Sequence, residues 1–275
     1  MAYAMASVLQ HRAAVAQPLE SSLRLGLLAA LVRSRIWLLG IVFDGVAFVL
    51  QFVALGHGSL VLVQPLLVCG LLFALPLGAW LAHTRMTGRD WIGAAALVVG
   101  LSTFLVVASP GNGHGEVADR AWMLLLLAAV LVIAVLLLVS RRRGSRQRAA
   151  LLAAAAGVNY GVTAALTKAA AHLLSGGVVE LVESWELYVL IGAGLFGMLL
   201  AQSAFQAGPL DASLPVLTVV DPLVSILIGA AVLGEGVRSG PLPTTLEVVG
   251  LLLVICGVLV LTRAEAVRAV AENQP

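Results

Sequence analysis

Asp44 and Asp221 stand inside long apolar runs of this chain. They lie about nine and about ten residues into their runs, which at ~1.5 Å per helical residue puts both roughly 15 Å from one membrane edge, near the midplane of a ~30 Å core. An ionisable group at that depth is costly and is a functional candidate by default. Two carboxylates at one depth can bind a cation or relay protons. Their oxygens suit hard cations such as Mg2+, which keeps several waters and takes few protein ligands. Asp44 and Asp221 are therefore the candidate metal-binding residues. A structural reading of Asp221 stands beside this one, because Pro222 leaves a backbone carbonyl free and the carboxyl group can be satisfied locally.

Lys168 is the single lysine of the chain and sits in the outer half of another apolar run. Its stem either snorkels to the interface or carries the ammonium to a carboxylate. Asn159, Tyr160, Thr163, Thr167 and Lys168 fall at i, i+1, i+4, i+8 and i+9, one side of a helix. Such a stripe lines a pathway or hydrogen-bonds neighbouring helices. Gln202 and Gln206 share a face of a later run, and Gln51 lies two turns beyond Asp44 on the same face. Each set lines a polar cavity or ties helices together. Ala153, Gly157, Gly161, Ala165 and Ala169 repeat every four residues, the pattern of close helix packing in a membrane.

Membrane helices must position these groups. The 275 residues are 61% hydrophobic and 11% charged, with mean hydropathy +1.05; a soluble domain carries roughly a quarter charged residues. Hydropathy predicts nine spans, at about 1–16, 35–56, 58–82, 90–108, 121–140, 149–174, 185–207, 211–234 and 244–262. The segment 23–32 is apolar but too short to cross, and reads as an interfacial or re-entrant piece. No cleavable leader is evident, and 1–16 reads as a short first span. With the N terminus outside, thirteen arginines fall on the cytoplasmic side and two, Arg120 and Arg238, on the outer side. That bias places the protein in a plasma (inner) membrane with a cytoplasmic C terminus. The basic run 141–148 beside a span end reads as a topology determinant in preference to a nucleic-acid or lipid patch. Cys69 and Cys256 fall inside apolar runs and read as buried small hydrophobes.

The spans repeat. Gly58, Leu60 and Pro65 recur as Gly208, Leu210 and Pro215, an offset of 150. Tyr3, Leu9 and His11 align with Tyr160, Leu166 and Lys168, and Gly93 and Gly100 with Gly250 and Gly257, at an offset of 157. Spans 1–4 thus match spans 6–9, and the unpaired fifth makes the second copy enter the membrane from the opposite side. The expected fold is an all-α polytopic membrane protein with about nine transmembrane helices in two inverted four-helix repeats around a linking fifth helix. Residues 1–108 form the first repeat and 149–263 the second. Between them, 109–148 holds an outer loop, the linking helix and a basic cytoplasmic loop; 264–275 is a cytoplasmic tail. The two carboxylates are not repeat mates, since Asp221 aligns with Leu71 and Asp44 with Gly194.

This layout, with Ser7, Gln10 and His11 in a small-residue first span, Trp37-Leu38-Leu39-Gly40, Phe52-Val53-Ala54-Leu55 and Gly58-Ser59-Leu60-Val61-Leu62-Val63-Gln64-Pro65-Leu66, resembles the drug/metabolite transporter superfamily. Within it the likeness is to NIPA-type magnesium transporters and their bacterial relatives. Many superfamily members carry a Gly-Glu pair where the third and eighth spans end; here Gly234-Glu235 keeps it, and Thr84-Arg85 stands in its place in the first half. The resemblance implies a secondary transporter of a small solute or divalent cation, Mg2+ among them, working by alternating access.

Pro65, Pro76, Pro215 and Pro222 lie in the third and eighth spans, as gating joints or as prolines tolerated near helix starts. Neither a phosphate-binding glycine loop nor a Cys/His metal set or nucleophile motif is present, so neither a cofactor nor ATP-driven or enzymatic chemistry is expected. The expected partners are the lipid bilayer and a small-molecule or cation substrate, with no nucleic acid. A proton-coupled exporter of metabolites or drugs is the alternative within transport, and a non-transporting integral membrane scaffold is the alternative outside it.

Overall fold

The computed structural model describes residues 5–6, 9–10, 13, 25–68, 88–108, 117–208, 210–235, 244–257 and 260. Among these the molecule is all-α: α1 Leu25–Leu31, α2 Arg35–His57, α3 Leu60–Val68, α4 Gly88–Ala108, α5 Asp119–Ser140, α6 Ser145–Gly176, α7 Val178–Glu183, α8 Trp185–Ala207, α9 Leu210–Ala231 and α10 Thr244–Gly257. Among the described residues five helices are long and apolar enough to cross a membrane: α2, α5, α6, α8 and the Ala212–Ala231 part of α9. Their outer surfaces are apolar too; Leu50 of α2 and Leu127 of α5 are each 65% exposed. Side chains of that kind face lipid, and the protein is a membrane-embedded helical one. Pro76, Cys69, Thr84, Arg85, His11 and the tail 264–275 lie outside the described residues.

α6 is the centre of the body. It is rich in alanine, and its buried face runs from Ala149 to Ala170. α8 crosses it in the opposite direction: Gly208 meets Ser145 and Ala149, while Gly197 meets Asn159 and Tyr160. α9 runs with it. A Cβ on Gly157 would stand 2.8 Å from Val220 Cβ, and one on Gly161 would stand 2.6 Å from Val224 Cγ1. The four-residue stripe is thus a close helix contact, in which absent side chains let two backbones approach. α5 lies on the outside, burying Trp122, Ile133 and Ser140.

α4 and α10 meet through glycines. A Cβ on Gly100 would stand 2.6 Å from the Gly250 carbonyl oxygen, and one on Gly257 would stand 2.8 Å from that of Gly93. The helices therefore run antiparallel, and the contact is reciprocal: Gly100 touches the sequence mate of Gly93, and Gly93 touches the sequence mate of Gly100.

Several boundaries differ from expectation. α6 begins at Ser145 and extends over the basic residues Arg146 and Arg148. The acidic connection before α8 is itself helical over Val178–Glu183. α9 ends at Ala231 because the chain turns there: Gly234 takes φ +61°, and the Glu235 N–H donates back to the Gly229 carbonyl at 2.9 Å. Cys256 is free and exposed on α10, on an apolar helix surface, where burial was expected. The short piece α1 packs Leu27 and Leu31 against Ala13 and Trp37.

Candidate functional site

α2 starts at Ser34, whose hydroxyl accepts from the Trp37 N–H at 3.4 Å. Its buried residues, Trp37, Gly40, Ala47 and Leu55, follow helical spacing along one face. Asp44 is on the margin of that face, half-buried. Its Oδ2 accepts a 2.6 Å hydrogen bond from Gln10 Nε2. Gln10 Oε1 in turn accepts from Gln202 Nε2 of α8 at 2.6 Å. Gly40 makes this possible, because a Cβ there would lie 3.0 Å from Gln10 Cγ. Gln10 is 5% exposed and Gln202 fully buried. At the far end, Gln202 Oε1 is buried with no hydrogen-bond partner among the described residues. Three helical segments thus contribute one polar chain, Asp44–Gln10–Gln202, inside an apolar body.

Asp221 has separate partners. Its carboxylate Oδ1 accepts from Ser225 Oγ, one helical turn on, at 3.3 Å. Its backbone packs on Gly157 of α6. The neighbours of Gln202, Leu200 and Ala201, cluster with Ala155 and Ala156 of the same helix. Asp221 and the residues beside Gln202 thus both pack against the Ala155–Gly157 stretch of α6. Among the described residues no group of three His, Cys, Asp or Glu side chains is arranged to hold a metal ion.

The stripe on α6 is used for helix bonding over much of its length. Asn159 Nδ2 donates to the Ala193 carbonyl of α8 at 2.8 Å and, at 3.4 Å, to Thr163 Oγ1. Thr163 and Thr167 hydroxyls donate to carbonyls one turn back, those of Asn159 and Thr163. Tyr160 is half-buried beside Gly197. Gln206 is buried with Gln202, and Gln51 is half-buried on α2.

Lys168 does not snorkel. Its ammonium pairs with Glu235. The fully buried Glu235 carboxylate also accepts the N–H groups of Leu60, at 2.7 Å to Oε1, and of Val61, at 2.8 Å to Oε2. The hydroxyl of Ser59 accepts the next one, from Leu62, at 3.2 Å. A helix leaves its first N–H groups unpaired and carries a partial positive charge there; α3 has all three of these donors filled. Gly229 gives the carboxylate room, since a Cβ there would stand 2.6 Å from Glu235 Oε2. Glu235 was absent from the sequence-derived site, whereas Gln10 aligns with Thr167 of the α6 stripe at the offset of 157 and falls on the face expected to line a pathway. The Gly234-Glu235 pair was visible as a pattern, but its partner N–H groups, 175 residues away for Leu60, carry no side-chain signature.

An uncharacterized protein of Corynebacterium glutamicum is 33% identical over 269 residues, which cover 97% of this chain and 92% of the relative. The chain belongs to that protein's family. The match runs nearly end to end in both. No protein-family profile matches the chain, and no solved structure does.

Proposed function

We propose that this protein is a secondary transporter of a small solute or divalent cation, working by alternating access in the manner of the drug/metabolite transporter superfamily. The Asp44–Gln10–Gln202 chain carries the reading. Polar side chains at membrane depth are costly and are retained for substrate or ion pathways. Three of them from three segments, with Asp221 at the same depth, make a midplane site of the kind that inverted-repeat carriers use. The reciprocal glycine contact of α4 and α10 supports the inverted repeat, because a two-fold axis that exchanges the sequence mates turns the Gly100–Gly250 contact into the Gly257–Gly93 contact. The plasma membrane, an external N terminus and a cytoplasmic C terminus belong to the same reading. Mg2+ is one substrate suited to the carboxylates. The amides of Gln10 and Gln202 favour a second reading, proton-coupled movement of a polar metabolite, because amides hydrogen-bond organic groups in both directions.

Reconstituted protein tests this. Asp44→Asn and Asp221→Asn are expected to insert normally and to lose at least tenfold in uptake, read with an internal Mg2+ dye and with a pH dye. Wild-type kinetics in both variants would sink the proposal. Cysteines at 44, 163 and 221 are expected to react with a water-soluble thiol reagent; uniform inertness would favour a non-transporting scaffold.

A further inference from the structure

Gly58 and Ser59 are the two residues between α2 and α3, and the corner they form is held on both sides. Before it, a Cβ on Gly56 would stand 3.4 Å from Ala171 Cβ, an ordinary contact with α6. After it, the Leu60 and Val61 N–H groups donate to Glu235, which Lys168 of α6 also engages. α3 is seated on α9 at the same place, since a Cβ on Gly229 would stand 2.9 Å from Val61 Cγ2. Leu55 and Leu60, one on each arm of the corner, share a core cluster with Ala165, Leu166 and Ala170 of α6.

α2 runs beside α6 in the same direction. Gly56 meets Ala171 at one end, and Asp44 reaches, through Gln10 and Gln202, the neighbours of Ala155 and Ala156 at the other. Asn159, Thr163, Thr167 and Ala171 follow at four-residue spacing, so the polar stripe of α6 leads toward the corner. Beneath the corner the stripe is shut away: Thr163 is 9% and Thr167 1% exposed. The opposite end of the body has no such carboxylate at the matching position. Gly208 and Leu210 lead into α9 as Gly58 and Leu60 lead into α3, but the residue 150 positions before Glu235 is Arg85. A guanidinium only donates and cannot accept helix N–H groups.

Resting on the transport reading and its topology, we propose that Glu235 is the latch of an outer gate: it holds the α2–α3 corner over the Gly176 end of the polar stripe, and outward opening is the release of that corner. Release separates two opposite charges and bares the first N–H groups of α3. In apolar surroundings both are left without a partner, so the corner opens together with the entry of water from outside. α3 of the first repeat then leaves α6 and α9 of the second, which is the rocking of one repeat against the other that such carriers use. Because the latch exists at one end, the resting protein is closed to the outside.

The test is side-specific labelling of a Thr163→Cys variant, in a Cys69→Ala, Cys256→Ala background, with a membrane-impermeant maleimide in sealed vesicles of known orientation. With Glu235 present the thiol is expected to react more slowly from outside than from the cytoplasmic side. Glu235→Gln keeps the shape and removes the charge, and is expected to raise the outside rate on the order of tenfold while the cytoplasmic rate falls. Faster reaction from outside with Glu235 present, an outside rate unchanged by Glu235→Gln, or an equal rise from both sides overturns the gate; the equal rise is what a merely structural tie would give. A cross-link makes the converse test, and serves alone if Glu235→Gln does not purify as a monodisperse species. The 3.4 Å between the Cβ positions of Gly56 and Ala171 is close to the about 3.5–4.5 Å of a disulfide. Oxidised Gly56→Cys/Ala171→Cys protein, reconstituted in the same background, is expected to lose on the order of tenfold or more in flux read with the Mg2+ and pH dyes, and reduction is expected to restore it. Full flux through the cross-linked protein overturns the gate and leaves the transport reading standing. Absence of flux in wild type overturns the transport reading and the gate with it, so the wild-type arm tells the two failures apart.

Discussion

Glu235 shows how one side chain joins parts of the chain that are remote in sequence. Its carboxylate fills two N–H groups of α3 and neutralises Lys168 of α6. Removing one partner of a buried ion pair is strongly destabilising because the other charge is left in apolar surroundings. Glu235→Ala should therefore lower stability by about 3–5 kcal/mol, read as a lower thermal transition in detergent. Lys168→Met in the Glu235→Ala background should recover part of that loss, since it removes the stranded ammonium. A second substitution that merely adds its own cost would show that the two groups do not interact. Sequence reading found Lys168 and posed its alternatives correctly, but it could not choose between them. The deciding carboxylate is fixed by a positive-φ glycine and a helix start, features of backbone geometry. Asp44 was legible for a simpler reason, since a charge in an apolar run announces itself. Gln10 was legible as the position aligned with Thr167 of the α6 stripe, but its bonds to Asp44 and Gln202 appear only once α2 and α8 are brought together.

At the scale of helices, glycine positions separate contact faces from lipid faces. Gly157 and Gly161 let α6 and α9 touch, whereas nothing lies within 4 Å of a Cβ placed on Gly192 in α8. Gly161→Leu should cost at least the 1–3 kcal/mol typical of overpacking, because the added atoms meet Val224. Gly192→Ala should be neutral or stabilise by up to ~1 kcal/mol through reduced chain entropy. Equal effects of the two in a thermal-unfolding assay would contradict the packing described here. The small-residue stripe was readable in advance because its four-residue period has few other causes. The helix ends were less so. α6 runs on through Arg146 and Arg148, and Val178–Glu183 winds into a turn and a half. Hydropathy marks where lipid stops, while hydrogen bonding decides where a helix does.

At the scale of the whole molecule, helix directions follow from contacts alone. α6 and α9 run together, α8 runs against them, and α4 runs against α10. These directions agree with an alternating path through a membrane. In a Cys69→Ala, Cys256→Ala background, a cysteine at Gly144 should label only from the cytoplasmic side and one at Glu183 only from outside. The reverse pattern would invert the proposed topology. The proposed duplication rests on glycines and prolines that recur at fixed offsets, four of which, Gly93, Gly100, Gly250 and Gly257, meet across α4 and α10. Asp44 and Asp221 do not follow those offsets. The Glu235 clamp also bears on how the protein is made. A ribosome delivers residues in order, so Leu60 and Val61 emerge 175 and 174 residues before the carboxylate that caps them. Until then the first N–H groups of α3 lack this carboxylate, so the capped start of α3 is completed only after the C-terminal part of the chain has been made.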